Sequence, residues 1–402
     1  MKEHSIASHR GLEASAFVAF AAFGSFWGVW GASVPRVQDQ AGLSDGQLGF
    51  ALLFVGAGAL PAMLLAGRAL DRWGPKVAAA AMGLLGMVGV ALAITAVSLP
   101  SLCVGLTIAG ASSGAADVTM NAVAGRAEKD TGRPVIARAH GTFSSLVVLT
   151  SLGTGAAAAA AWPLAVPFCA VAALAATAGA TMLTTLPPRQ SAHREDMMST
   201  ALSPPGRLRV LPLLPLGALG ALAFACENAH QSWSAVFAED ELNAGAGLTT
   251  VAPAAFAGTV AITRFATGQL KTTHAQTIML VGSLAAACGA LLIAAAPTLL
   301  VALLGLVMAG AGTAVLFPAL LGIVSRDVEE SHRGRATSVI STVSYLGFLL
   351  GPVYVGLWAD ATGLRGAMTA VAALAAVMFL LTPPLLDLGG PSRKATLPPA
   401  CE

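Results

Sequence analysis

The ten residues 67–76, GRALDRWGPK, decide how the rest of this sequence is interpreted. An acid and a base, Asp71 and Arg72, stand side by side between two glycines, Gly67 and Gly74. Apolar runs of about 20 residues, the length that crosses a bilayer, lie on both sides of the stretch. The pattern predicts a close helix approach at Gly67, a tight turn at Gly74, and a charged loop between two membrane-spanning helices.

The composition of the whole chain favours a lipid environment. Hydrophobic residues make up 56% of the 402 residues and charged residues only 10%, whereas a soluble domain carries about 25% charged residues. The 44 glycines suit close packing of membrane helices. A formal net charge of +2 is too small to indicate a nucleic-acid partner. The five cysteines are widely spaced, with neither metal-binding nor disulfide spacing, so no metal and no cofactor is expected.

Twelve apolar segments are long enough to cross a membrane as helices. The longest polar interruption, residues 187–209, is rich in Pro, Ser and charge, and it separates six segments from the other six. The sequence therefore predicts an all-α polytopic membrane protein with an N-terminal six-helix bundle (1–186), a cytoplasmic linker (187–209) and a C-terminal six-helix bundle (210–402). The predicted helices cover approximately residues 14–35, 46–67, 77–97, 99–124, 136–160, 163–186, 210–237, 249–270, 275–296, 298–324, 336–358 and 365–386.

The basic residues alternate between the two sides of the predicted membrane. With the N-terminus inside, all of the 22 Lys and Arg residues except Arg36 and Arg365 fall in the inside segments. An excess of basic residues in cytoplasmic loops sets the orientation of membrane proteins, and a miscounted helix would destroy the alternation. We therefore expect a multi-pass protein of the inner (plasma) membrane with both termini in the cytoplasm.

The loop at residues 67–76 resembles the signature loop of the major facilitator superfamily, Gly-x-x-x-Asp-Arg-x-Gly-x-basic, between the second and third helices. The gaps before helices five and eleven also resemble each other, since both are charged and both end in Arg-Ala. The resemblance implies two pseudo-symmetric six-helix bundles that give alternating access to a central site. It also implies a gating latch formed by Gly67, Asp71, Arg72, Gly74 and Lys76.

The corresponding position in the second half reads Arg264-Phe-Ala-Thr-Gly268-Gln-Leu-Lys271. It keeps the Arg, the Gly and a terminal base, but it lacks the acid and the Arg-x-Gly. We therefore interpret Arg264 as a gating or helix-end partner rather than as a residue that binds solute.

Helix four carries a polar face in the stretch GASSGAADVTMNAV. At 100° per residue, Gly110, Gly114, Asp117 and Asn121 lie on one narrow stripe. Within the superfamily this helix resembles the fucose-permease branch and the YbjJ-type inner-membrane proteins, in which an acid precedes an Asn by four residues. The resemblance implies proton coupling at Asp117, although a structural pairing with a nearby Arg is the alternative. The Asn121 amide is a candidate for hydrogen bonding to the solute. Helix one, GSFWGVWGASVP, departs from the fucose type because it contains no acid.

Helix seven carries a second polar stripe in the stretch CENAHQSWS, where Glu227, His230, Gln231 and Ser234 follow helical spacing. Glu227 and the nearby Trp233 also match the YbjJ-type proteins. A carboxyl in a poorly solvated cavity is suited to carrying a proton, so Glu227 is the second proton-coupling candidate. His230 and Gln231 are candidates for binding the solute, although His230 is equally compatible with packing as a hydrogen-bonded neighbour.

Two tryptophans on helix one, Trp27 and Trp30, lie one turn apart. Aromatic rings in such cavities stack on sugar rings or apolar ligands, which makes both residues candidates for solute binding. They fit a role as anchors at the membrane interface equally well.

These features favour a secondary active transporter that moves a small organic solute, with protons and the lipid bilayer as its other partners, and that works as a monomer. No phosphate-binding loop is present, so an ion gradient rather than ATP is the expected energy source. The alternatives are a proton-antiport exporter of amphipathic metabolites or drugs and, in another class, a membrane solute sensor without transport. An enzyme is not expected, because the sequence shows neither a metal motif nor a paired nucleophile and base.

Overall fold

The computed structural model describes residues 2–74, 76–186, 211–267, 274–328 and 330–389. Within these residues all regular secondary structure is helical, which confirms the predicted all-α fold. The first six helices are α1 (Lys2–Ala41), α2 (Asp45–Trp73), α3 (Lys76–Thr95), α4 (Leu99–Thr131), α5 (Val135–Ala159) and α6 (Ala165–Thr185). After a short 3₁₀ turn (Leu211–Leu213) come α7 (Leu214–Asp240), α8 (Val251–Thr267), α9 (Ala275–Ala294), α10 (Leu299–Asp327) and α11 (Glu330–Gly389).

The last element, α11, is one helical segment of 60 residues with a break at Gly363. Its φ of 77° and ψ of 167° at Gly363 are not helical, and glycine adopts this conformation without the steric cost of a side chain. The break separates a first arm (330–362) from a second arm (364–389), and each arm covers one of the last two predicted helices.

Ten helices of the described residues are long and apolar enough to cross a membrane, with α11 counted once. The helix α8 is shorter, at 17 residues, and the predicted segment 249–270 continues beyond it into residues outside the description. The predicted linker at 187–209 also lies outside the described residues. Twelve crossings require that each arm of α11 crosses the membrane separately and that α8 crosses it too. The count of twelve stays a prediction.

Glycines bring the helices of each half together, as the small-residue spacing predicts. A Cβ atom at Gly28 of α1 would overlap the carbonyl of Val147 on α5, and one at Gly347 of α11 would overlap the carbonyl of Ala221 on α7. The two contacts occupy equivalent places in the two halves, because one joins the first helix to the fifth and the other joins the seventh helix to the eleventh. Backbones that approach this closely gain van der Waals packing, which is the main source of helix association in lipid.

We call the end of the bundle that holds the α1–α2 loop, the α7–α8 loop and Gly363 the distal face, and several contacts between the two sets of helices lie there. There the Ser151 hydroxyl of α5 donates to the Thr250 carbonyl before α8, at 3.1 Å. The contact between α5 and α8 continues beyond this face as far as Gly141, which lies against Phe265. The amide of Gly46 at the start of α2 donates to the Asp360 carboxylate of α11, at 2.8 Å. The opposite end, which holds the turn at Gly74, is called the terminus-side face.

Candidate functional site

An ion pair between Glu227 of α7 and Arg264 of α8 lies inside the second half. Nη2 of Arg264 is 2.8 Å from each of the two Glu227 carboxylate oxygens. The Glu227 side chain is 17% exposed and the Arg264 side chain 44% exposed. The Arg264 Nε also points to the Ala314 carbonyl of α10, at 3.5 Å. The sequence candidates for proton coupling and for gating are therefore brought together at one place.

Helix geometry explains why residues 37 positions apart meet at the same depth. Glu227 precedes the end of α7 at Asp240 by 13 residues, and Arg264 follows the start of α8 at Val251 by 13 residues. With a rise of 1.5 Å per residue, both lie about 20 Å from the distal ends of their helices. The hydrocarbon core of a bilayer is about 30 Å thick, so the pair lies within it.

The Arg264 guanidinium also faces α5 of the first half. Its charge acts through space on the imidazole of His140, whose ring packs edge-on against Phe20 of α1 at 4.8 Å. The neighbouring Phe265 ring lies 3.0 Å from where a Cβ of Gly141 would stand. Arg264 thus contacts α7 and α10 and lies within electrostatic range of His140 on α5, while its side chain stays 44% exposed.

Asp117 and Asn121 of α4 form the second polar pair. The Asn121 amide donates to the Asp117 side chain at 3.1 Å and to its backbone carbonyl at 2.9 Å. Both side chains are partly exposed, and the Asp117 charge acts on Tyr345 of α11 in the other half. Asp117 follows Leu99, the first residue of α4, by 18 residues, so it lies about 27 Å from the distal end. It is therefore nearer the terminus-side face than Glu227.

The glycines of the helix-four stripe serve packing instead of lining the space between the halves. A Cβ at Gly110 would overlap the carbonyl of Val55 on α2, and one at Gly114 would lie 2.7 Å from the carbonyl of Ala59. They hold α4 against α2 and thereby set the position of Asp117 one turn further along.

The helix-seven stripe is divided between two environments. His230 is buried; its Nδ1 lies 2.7 Å from the Cys226 carbonyl, and its ring stacks on Phe256 of α8 at 5.5 Å. Ser234 is buried too, and both residues line a small cavity with room for about one water molecule. Gln231 is partly exposed. Glu227 faces Arg264, while His230 belongs to the apolar interior of the second half.

The two tryptophans of α1 differ in exposure. Trp27 is partly buried and packs edge-on against Phe23 and Phe26, with ring centroids 6.4 and 5.4 Å apart. Trp30 is only 5% exposed and belongs to the main hydrophobic core. Trp27 therefore offers a ring surface to a solute, whereas Trp30 offers very little.

The loop at residues 67–76 forms the predicted tight turn but not the predicted close helix approach. The helix α2 ends at Trp73, and Gly74 follows with a φ of 69° and an amide bonded to the Leu70 carbonyl. Within 4 Å of a Cβ at Gly67 there is no described atom, so the prediction of a tight helix contact there is wrong for this structure. The physical reason is that the described inter-half contacts of α2 lie in its distal half, from Gly46 to Gly56. The Asp71 side chain lies outside the description.

Sequence reasoning missed two features of the distal face. The Asp360 carboxylate accepts from the Gly46 amide and from the Ser44 hydroxyl, at 2.8 and 3.2 Å. Nε of Arg365 lies 2.8 Å from the Glu241 carboxylate. The available signal was the presence of Asp360 and Arg365, two charged residues in an otherwise apolar stretch of the chain.

The candidate site is made of paired polar side chains and aromatic rings. Among the described side chains, no group of three or more His, Cys, Asp or Glu residues could hold a metal ion. The partly exposed groups described above are an ion pair, a carboxylate–amide pair and aromatic rings. Such groups can bind a solute and exchange a proton.

A sequence model described as Major Facilitator Superfamily matches residues 15–305 and 274–399. An uncharacterized MFS-type transporter of Yersinia pestis is 27% identical over 349 residues, covering 85% of this chain and 87% of that protein. An uncharacterized transporter of Sinorhizobium fredii is 27% identical over 357 residues, covering 88% of this chain and 92% of that protein. The membrane protein MosC of Rhizobium meliloti is 26% identical over 353 residues, covering 86% of this chain and 83% of that protein.

Solved structures with the same fold include a bacterial homolog of the human lysosomal transporter Spinster, in an inward-facing unoccupied conformation. It aligns with a TM-score of 0.75 and 16% identity over 96% of this chain and 99% of that chain. The inward open xylose transporter XylE from E. coli aligns with a TM-score of 0.71 and 14% identity, over 93% and 95% of the two chains. The family match and the shared helical architecture agree, and the chain therefore belongs to the Major Facilitator Superfamily and is a secondary transporter, not an enzyme.

Proposed function

We propose that this transporter moves a small organic solute by alternating access and couples that movement to protons through Glu227. The observation that carries the proposal is the Glu227–Arg264 ion pair, about 20 Å from the distal ends of its helices and open to the space between the halves. Charged side chains within a membrane are costly and therefore mark functional pathways. A carboxylate that leaves its ion pair with an arginine and takes up a proton loses its charge. This loss of charge can be coupled to solute binding.

The remaining polar groups between the halves complete the proposed pathway. We assign Asp117, held by Asn121, as the second proton-coupling group, because it is partly exposed and lies within electrostatic range of Tyr345 in the other half. We assign solute contacts to the partly exposed side chains of Trp27, Asn121 and Gln231, whereas the buried Trp30 and His230 support the site from behind. We assign gating at the terminus-side face to Gly67, Asp71, Arg72, Gly74 and Lys76.

The distribution of basic residues supports an orientation in which the distal face is periplasmic and both termini are cytoplasmic, in the inner membrane. The hydrogen bonds at the distal face would then lie at the outer end, which supports an inward-facing conformation. Two of the aligned solved structures are titled as inward-facing or inward open, which supports the same assignment. Each half contributes to the closure within one chain, so a monomer suffices for the cycle.

The direction of transport separates two versions of the function. The likeness of Asp117 and Asn121 to the fucose type favours uptake together with a proton. A cluster of aromatic rings beside Glu227, formed by Phe224, Phe317 and Tyr345, favours instead the export of an amphipathic solute against protons. Both versions use the same coupling group.

The decisive experiment measures proton movement in proteoliposomes with a pH-sensitive dye sealed inside. Pools of sugars, organic acids and amphipathic drugs are added outside, and the wild type is compared with Glu227→Gln. We expect one pool to drive proton movement, inward for symport and outward for antiport, and the variant to lose it. Solute binding without any proton movement would overturn proton coupling and leave a uniporter, another coupling ion, or the solute sensor.

A further inference from the structure

The charge balance of the Glu227–Arg264 pair restricts the solute that this site can take. Within the described part of the chain, Glu227 is the carboxylate that neutralises the Arg264 guanidinium. When Glu227 accepts a proton, the carboxylate loses its charge while the guanidinium keeps its own, because arginine stays protonated in proteins. Arg264 is then an uncompensated cation at a depth of about 20 Å, a costly arrangement in the membrane.

We propose that the solute is an organic anion, whose acidic group replaces the Glu227 carboxylate on Arg264 when Glu227 is protonated. The inference rests on the proposed proton coupling at Glu227 and names the substrate class for that site. The planar guanidinium fits carboxylates and related oxyanions, and such charge-assisted hydrogen bonds are the strong ones. The partly exposed Arg264 side chain gives the anion access from the space between the halves.

While Glu227 is protonated, charge neutrality at the site excludes neutral and cationic solutes as the partner of Arg264. A neutral solute would leave the Arg264 charge unbalanced beside protonated Glu227, and a cationic solute would add a second positive charge. One proton on Glu227 and one monoanion on Arg264 restore the neutrality that the ion pair has without solute. A symport cycle built on this exchange carries no net charge, so it responds to the pH difference and not to the membrane voltage.

The surroundings of the pair predict an apolar body for the anion. Phe224 lies one turn before Glu227 on the same face of α7, with its ring 4.5 Å from Phe317 and 5.6 Å from Tyr345. In the first half, His140 lies within electrostatic range of Arg264, and its ring packs edge-on against Phe20. A small aromatic or otherwise apolar acid would place its charged end on Arg264 and its body among these rings.

Few other titratable groups surround the pair in the described residues. On α5 the facing group is His140, and on α10 the contact is the uncharged Ala314 carbonyl. On α7 itself, His230 is buried and bonded to the Cys226 carbonyl. Asp117 lies about 7 Å closer to the terminus-side face and bonds to Asn121. Glu227 is therefore the group expected to link anion binding to pH, with His140 as the group to control.

The test is equilibrium binding to purified protein with four probes that share a phenyl body: benzenesulfonate, benzoate, neutral benzamide and cationic benzyltrimethylammonium. In the wild type we expect both anions to bind, with an affinity that rises up to about tenfold per pH unit as the pH falls. Glu227→Gln mimics the protonated carboxyl, so it should bind the anions with little dependence on pH. The variant His140→Gln should keep the pH dependence of the wild type.

The double variant Glu227→Gln with Arg264→Gln removes both charges at once, so it keeps neutrality and guards against misfolding caused by an unpaired charge. It should lose anion binding. Anion binding that survives in this double variant, or preferential binding of the cationic probe, would overturn the proposal. So would the absence of anion binding to Glu227→Gln, tested with a panel of aromatic and aliphatic carboxylates and sulfonates.

Failure of this inference can be told apart from failure of the proposed function. If benzamide binds better than the anions, with a pH dependence that Glu227→Gln abolishes, the anion class is wrong while coupling at Glu227 holds. If the anions bind with no pH dependence in the wild type, coupling at Glu227 is wrong, and the exchange proposed here falls with it.

Discussion

The Asp360 carboxylate near the end of the first arm of α11 accepts a hydrogen bond of 2.8 Å from the backbone amide of Gly46 in the first turn of α2. The first amides of a helix have no partner within the helix, and they carry the positive end of its dipole. Asp360 thus caps α2 from the other half of the molecule. Because the bond joins the two halves at the distal face, we predict that Asp360 acts as a latch that holds this face closed.

Asp360→Asn should weaken the closure of the distal face. A hydrogen bond to a charged group contributes about 1.5–3 kcal/mol, so the population should shift toward the outward-open state by roughly tenfold or more. The distance between spin labels placed on α2 and on α11 at the distal face reports this shift. Asp39→Asn, which changes an exposed carboxylate of the same face, is the matched control and should leave the distances unchanged. Equal distances in the wild type and Asp360→Asn would refute the latch.

Gly347→Ala should destabilise the second half. The added methyl group would overlap the Ala221 carbonyl of α7, and overpacking of this kind typically costs about 1–3 kcal/mol. Thermal unfolding of the purified protein in detergent measures the change. Gly83→Ala on α3 is the control, because its Cβ would meet open space, and replacing a helical glycine there should be neutral or slightly stabilising. Equal loss of stability in both variants would contradict the packing role of Gly347.

Arg264→Gln should be more harmful to stability than the double variant Glu227→Gln with Arg264→Gln. Removing one partner leaves a charge without its counterion, which costs about 3–5 kcal/mol in a fully buried pair. We expect about 1–3 kcal/mol here, because Arg264 is 44% exposed and solvent screens the pair. Chemical or thermal unfolding of the three proteins gives the comparison. A double variant less stable than the single one would mean that the two residues do not act as a pair.

Asp117→Asn should fold normally and impair coupled transport. The amide can still accept the hydrogen bond that Asn121 donates, but it cannot release a proton. Solute-driven proton movement in proteoliposomes should fall at least tenfold while solute binding persists. Asp130→Asn at the end of α4 is the control, because its pair with Arg126 at 3.7 Å is exposed and contributes little. Normal, gradient-dependent transport by Asp117→Asn would remove this residue from the coupling mechanism.

Much of the fold could be predicted because hydrophobicity and charge act locally. An apolar run of about 20 residues has to be helical in lipid, since each backbone amide and carbonyl needs a partner within the segment. The predicted helices therefore coincide with observed ones, from α1 to the two arms of α11. Local spacing also placed Asp117 and Asn121 together, because residues four apart lie on one helix face.

Other predictions failed or were incomplete where they depended on contacts between helices. The glycine at position 67 has the residue type of a packing site, yet no atom of the described residues lies within 4 Å of a Cβ placed there. Helical spacing placed Glu227 and His230 on one stripe, but the neighbouring helices separate their environments, with Arg264 beside one and Phe256 beside the other. Spacing along a helix cannot reveal which neighbour each side chain meets.

The sequence by itself determined the membrane environment, the helical class, the family signature at residues 67–76 and the candidate carboxylates. These follow from composition, from the apolar length needed to cross a bilayer, and from periodicity within one helix. Only the tertiary structure decided that Arg264 is the partner of Glu227 and that Asp360 caps α2. Both contacts join residues far apart in the chain, and their geometry depends on helix packing and on the conformation of the two halves, which no local pattern encodes.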